Sequence, residues 1–181
     1  RQALSRTQAR ACLVGLHGST PSCALTLLAQ AQQIPPGQAR SWVVMTPSDD
    51  SAERIFNDLR FFHELIGLPG DRLTWFPKWE TLPYEGTAPH VGLIARRMTT
   101  LHQLRTNPPT LLVTSVAAAM HRLIPRTTFE RALLRFEPGG SCEREPLTTG
   151  LLRLGYRRVS VVEIPGEFSI RGGIVDIFST A

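Results

Sequence analysis

The spacing of apolar and polar positions divides the chain into a first part that alternates strand with helix and a second part that does not. Residues 11–16 (ACLVGL) are a short apolar run that predicts a strand, and residues 23–33 (CALTLLAQAQQ) have helix-forming composition until Pro35 and Pro36 stop it. Residues 41–45 (SWVVM) predict a second, buried strand. Over residues 51–66, Ile55, Leu59, Phe62 and Leu65 or Ile66 recur at helical spacing; Asp50 and Glu53 stand at capping-box spacing and Gly67 is placed to end the helix. Residues 72–76 (RLTWF) read as a third strand. A helix over 91–104 carries Ile94, Met98 and Leu101 on one face, and a fourth strand at 110–114 (TLLVT) runs into a short helix at 116–123. This alternation predicts an α/β unit over residues 1–130, a mostly parallel sheet with helices on both faces.

After residue 131 the pattern changes. Residues 133–136 predict a short strand, Pro138, Gly139 and Gly140 a turn, and residues 146–154 a helix ended by Gly155. Residues 157–164 (RRVSVVEI) and 173–178 (GIVDIF) read as two strands joined by a connection containing Gly and Pro. Residues 131–181 are therefore expected to form part of a smaller, strand-rich α+β unit. Its core is thin for about 50 residues, so it is expected to be cut short at Ala181 or to lean on its neighbour. No internal repeat stands out.

Composition narrows the class. With 42% hydrophobic and 19% charged residues among 181, the chain has the balance of an ordered globular protein. Its longest mainly apolar run, residues 110–120, is far short of the roughly 20 residues that cross a bilayer, and nothing at Arg1 resembles a signal peptide. A soluble, cytoplasmic protein is expected, with no membrane partner. Cys12, Cys23 and Cys142 have neither disulfide nor zinc spacing and read as buried small apolar residues; the five histidines are scattered, so no metal site is expected. The net charge of +5 invites a DNA-binding reading. Against it, Lys78 is the sole lysine, the arginines are dispersed, and aromatics do not alternate with them as in single-strand stacking platforms.

The loop after the first expected strand lies where a phosphate-binding loop would lie. Counted from Gly15 through Gly18, the second required glycine falls on Thr20, the lysine on Pro21 and the hydroxyl residue on Ser22. Lysine would place a cation on the β and γ phosphates, and the glycines would turn backbone N–H groups inward; proline offers neither charge nor N–H. A plain strand-to-helix turn is the simpler reading, with weak anion binding at the helix N-terminus as the alternative. There is no GxSxG or HExxH motif, and the neighbouring Asp49 and Asp50 read as helix-start residues rather than an acid/base pair. No catalytic residue is assigned.

Two stretches carry a family resemblance. Trp79, Glu80, Leu82, Pro83 and Tyr84, with Pro89 and His90 after them and then Ala95, Arg96, Arg97, Thr100 and Leu101, resemble the WETLPYxxxSPH…RLxTL stretch of the bacterial transcription-repair coupling factor family, Mfd. Residues 155–159, Glu163, Gly166, Glu167, Phe168, Arg171, Gly172, Gly173 and residues 174–178 resemble the GYxxVxxVxxxGEFxxRGGIxDxFP segment shared by that family and the excision nuclease subunit UvrB. Ala88 departs from the usual Ser, and Ser179 from the usual Pro. UvrB keeps a working phosphate loop and lacks WETLPY, so Pro21 favours the coupling-factor side.

That resemblance implies a UvrB-like domain 1a with a degenerate nucleotide loop, followed by the opening part of a UvrA-binding domain 2. Family members recognise RNA polymerase stalled at a lesion, displace it with a motor that uses ATP and Mg on double-stranded DNA, and recruit UvrA through the UvrB-like module. The implied role here is non-catalytic recruitment of UvrA, without a cofactor. Arg171 is the implied UvrA contact, with Arg157 and Arg158 as weaker candidates; alternatively, Arg171 bridges to Glu163 or Glu167. The 79–85 stretch is either a packed loop or a docking surface for other parts of the parent, since in the family the UvrA-binding face is masked by intramolecular contacts. A UvrB-like ATP-using enzyme and a basic DNA-binding module are the competing readings.

Overall fold

The computed structural model describes residues 12–31, 41–81, 86 and 88–180. Its first sheet holds β1 (Trp42–Thr46), β2 (Leu73–Phe76) and β3 (Leu111–Ser115) in the order β1-β3-β2, all parallel, with Trp42 and Leu73 both in register with Leu111. Helices α1 (Thr20–Ala31), α2 (Asp49–Leu65), α3 (Val91–Thr106) and α4 (Val116–Met120) accompany it. Side chains alternate across a strand, so Leu73, Trp75, Leu111 and Val113 share one face. There they join Ala29 of α1 and Ala52 and Leu59 of α2 in the main core. Thr74 and Phe76 point the other way, where Thr74 Oγ1 lies 3.1 Å from Thr100 Oγ1 of α3. Helices therefore cover both faces of the parallel sheet.

Local chemistry sets the ends of α2. Ser48, not Asp50, is its cap: the Ser48 hydroxyl accepts from the Ser51 N–H at 3.2 Å. Asp49 and Asp50 lie inside the first turn, where their charge suits the helix dipole, and the expected Asp50 and Glu53 box does not form. At the other end Gly67, at φ +69, lets its own N–H reach Glu64 O and that of Leu68 reach His63 O, closing the last turn.

After α4 the chain forms α5 (Arg126–Arg131), which the sequence reading missed, and α6 (Arg144–Arg153). The second sheet follows: β4 (Arg157–Arg158), β5 (Glu167–Arg171) and β6 (Ile174–Ile177) in that order, β4 parallel to β5 and β5 antiparallel to β6. A cavity of about 510 Å³ lies between α3 and the elements that follow it, walled by Ile94 and Met98 of α3, Phe129 of α5, Leu151 of α6, and Ile177 of β6.

Four expectations are corrected. Residues 12–16 form no strand: Gly15 at φ +79 turns the backbone out of extended conformation, and Leu13 and Val14 are 64% and 84% exposed. Residues 133–136 are irregular, because Leu133, Leu134 and Phe136 line the cavity instead of joining a ladder. The expected strand at 157–164 stops at Arg158, and the supposed connection after it contains β5, the central strand. Cys12 and Cys142 are exposed in irregular segments and Cys23 is half-buried, so the thiols are not core residues. Pro35, Pro36 and the end of the first expected helix lie outside the described residues. No helix among the described residues is long and apolar enough to cross a membrane.

His63 makes stability depend on pH. It is 2% exposed in the last turn of α2, neither ring nitrogen has a hydrogen-bond partner, and burial pushes its pKa below the usual 6.5. The unfolded chain therefore takes the proton first, so this part of the stability is present above pH 6.5 and is lost as pH falls through the lowered folded-state value. His63→Leu should shrink the drop in urea midpoint between about pH 7.5 and pH 5 seen for the unsubstituted chain.

Candidate interaction site

Three regions hold the residues singled out above. The first is the degenerate loop. Gly15 and Gly18 have φ of +79 and +59, α1 begins at Thr20, and Pro21 stands in its first turn. A cavity of about 740 Å³ opens beside Gly18, Ser19 and Pro21, with Arg54 and Asp58 of α2 on its wall. Pro21 brings no donor to this wall. Ser22 is 1% exposed and does not line the cavity, so the hydroxyl at the metal-binding position of a working loop is turned into the fold.

The second region is the segment leading into α3. Arg97 is 1% exposed, with its guanidinium carbon 4.0 Å from the Phe76 ring centroid and 4.3 Å from that of Trp79. Its Nη1 donates to the Pro77 carbonyl. Burial lowers the Arg97 pKa to about 10, partly opposed by Asp49, and the group stays charged at neutral pH. Asp49 also accepts from the Lys78 N–H at 3.1 Å, so α2 and α3 together hold residues 77–79. Trp79 is half-buried and Glu80 exposed; Leu82, Pro83 and Tyr84 lie outside the described residues. Farther on, Pro89 is half-buried, and His90 caps α3 by accepting the Gly92 N–H at Nδ1 at 3.1 Å. The helix thus takes its cap from His90, without the hydroxyl that Ala88 lacks.

The third region is the second sheet. Register places Arg157, Glu167, Ser169, Arg171, Ile174 and Asp176 on one face and Arg158 and Phe168 on the other. The three candidate arginines are therefore not one patch: Arg157 and Arg171 share a face, and Arg158 is exposed on the opposite one. Glu167 is 5% exposed, and its carboxylate accepts the N–H groups of Glu163 and Ile164 at 3.0 and 3.2 Å as well as the Arg157 guanidinium at 2.5 Å. These donors hold its pKa below the usual carboxylate value, the Glu163 N–H foremost. Arg171 pairs with neither Glu163 nor Glu167. Its Nη2 donates to Asp176 Oδ2 at 2.5 Å, across the hairpin. Gly172 at φ +60 and Gly173 form a two-residue turn with positive φ at the first position only, the geometry that matches strand twist. Asp176 and Arg97 had no assigned role in the sequence; the double glycine, which sets Arg171 opposite Ile174 and near Asp176, was the available signal for the first.

Known proteins bear directly on this third region. The family model for the UvrB interaction domain matches residues 134–181, the stretch that contains α6 and the whole second sheet. The transcription-repair-coupling factor of Escherichia coli K12 is 34% identical over 122 residues, 67% of this chain and 11% of that protein. The chain is a homologue of the transcription-repair-coupling factors. That of Rickettsia bellii is 29% identical over 140 residues, covering 76% of this chain and 12% of its own length, and that of Mycobacterium tuberculosis is 34% identical over 123 residues, 64% and 10%. The chain spans about a tenth of the length of these relatives.

Arg97 is the residue on which the segment at 77–79 depends. Arg97→Ala should cost about 3 kcal/mol, because it leaves the Pro77 carbonyl unpaired and a gap between two rings. Urea unfolding measures the loss. Trp79 emission should move to the red, with a Trp79→Phe background to separate it from Trp42 and Trp75.

Proposed function

We propose that this chain is a recruitment module of a transcription-repair coupling factor, that its partner is UvrA, and that it performs no chemistry of its own. The observation that carries the reading is the match of the UvrB interaction domain to residues 134–181, which takes in the sheet where Arg157 and Arg171 are both exposed on one face, on either side of the buried Glu167 and Ser169. In this reading residues 1–130 are the UvrB-like first domain and residues 131–181 belong to the UvrA-binding domain. An exposed arginine suits such a contact, because its planar fork pairs bidentately with a carboxylate and arginine is enriched among residues that dominate interfaces.

Pro21 supports the non-catalytic part, since at the lysine position of the loop it offers neither a cation nor an N–H to a phosphate. ATP and Mg then belong to a motor elsewhere in the parent, as do contacts to RNA polymerase and double-stranded DNA. The half-buried Trp79 segment, clamped by Arg97, serves as a packed support in this account.

Calorimetry with purified UvrA tests the reading. The chain should bind, Arg171→Ala should weaken binding by about 1 to 3 kcal/mol, and titration with ATP should give no saturable heat. Absence of UvrA binding by the folded chain would refute the partner, and saturable ATP binding would revive the UvrB-like enzyme.

A further inference from the structure

The two exposed arginines that share a face of the second sheet are held in different ways. Glu167, the partner of Arg157, has a side chain only 7% exposed and is tied by two backbone N–H groups, so it cannot leave. Asp176, the partner of Arg171, has a side chain 41% exposed on an edge strand, and Arg171 itself is 65% exposed. We propose that Asp176 is a built-in competitor, holding in the free chain the guanidinium of Arg171 that an acidic side chain of the partner takes on docking. This rests on the recruitment reading above and adds the chemistry of the contact.

Several features favour exchange. An exposed ion pair is weak, because water and salt screen it and two side chains must be held in place. Gly172 and Gly173 bear no side chains, and a Cβ built on either meets nothing within 4 Å, so the approach to Arg171 from the turn is open. Ile174, directly opposite Arg171 on the same face, is 64% exposed. The surface therefore fits a carboxylate set beside an apolar patch. Asp176 would repel that carboxylate while competing with it, and both effects have the same sign.

The test is calorimetry of UvrA binding by the unsubstituted chain, Asp176→Asn, Arg171→Ala and the double variant, at about 0.05 and 0.5 M salt. Asp176→Asn should tighten binding about two- to fivefold at low salt, the range that an exposed ion pair commands. The gain should fade at high salt and shrink in the Arg171→Ala background, where only the direct repulsion by Asp176 is left to relieve. Asp176→Ser, also uncharged, should tighten binding too, and circular dichroism checks that each variant is folded. If folded Asp176 variants bind equally well or more weakly while Arg171→Ala still loses affinity, the competitor role is overturned and the recruitment reading stands. If the unsubstituted chain does not bind UvrA, both fall.

Discussion

The buried carboxylate of Glu167 is the constraint on which the second half of the molecule depends. Its oxygens are shielded from water by the groups that pair with them, two backbone N–H groups and a guanidinium, and these outweigh the cost of desolvation. That pairing folds residues 159–166 back toward β5 rather than letting them continue β4, and it fixes where β5 begins. Ser169 adds a second tie, its hydroxyl donating to the Ser160 carbonyl at 3.1 Å. Everything beyond the tie, the glycine turn and the face bearing Arg171 included, takes its position from a strand anchored in this way.

The first sheet supplies the platform. Its central strand β3 is covered by α2 on one side, while α3 covers β2 on the other and also lends Ile94 and Met98 to the cavity shared with Phe129, Leu151 and Ile177. An ion pair between Arg105 of α3 and Glu130 of α5, at 2.8 Å, joins the same elements at the surface. Packing thus connects the parallel sheet to the smaller one through α3. Arg97, next to Met98 on α3, carries the Trp79 segment by stacking and a single carbonyl contact rather than by a buried ion pair.

Where apolar runs are bounded by turn residues, the elements are legible in the sequence. β1, β2, β3, α2, α3 and α6 start and end within about two residues of expectation. The misreadings have a common cause, since a strand is defined by its ladder and not by its composition. Residues 12–16 and 133–136 are mostly apolar but have no partner strand, whereas β5 opens on a glutamate that hydropathy places outside. Only knowledge of its donors, three, four and ten residues away, turns Glu167 inward. Among the interaction residues, Arg171 is legible through its motif, but its partner is not, because Asp176 comes beside it only through the pairing of β5 with β6.

The central claim is that the second sheet, not the degenerate loop, is the working surface of this chain. Hydrogen exchange with mass spectrometry, with and without UvrA, examines both regions in one experiment. Exchange should slow over residues 157–158 and 167–177 and stay unchanged over residues 15–26. Protection confined to the loop and α1, with the hairpin unaffected, would contradict the account.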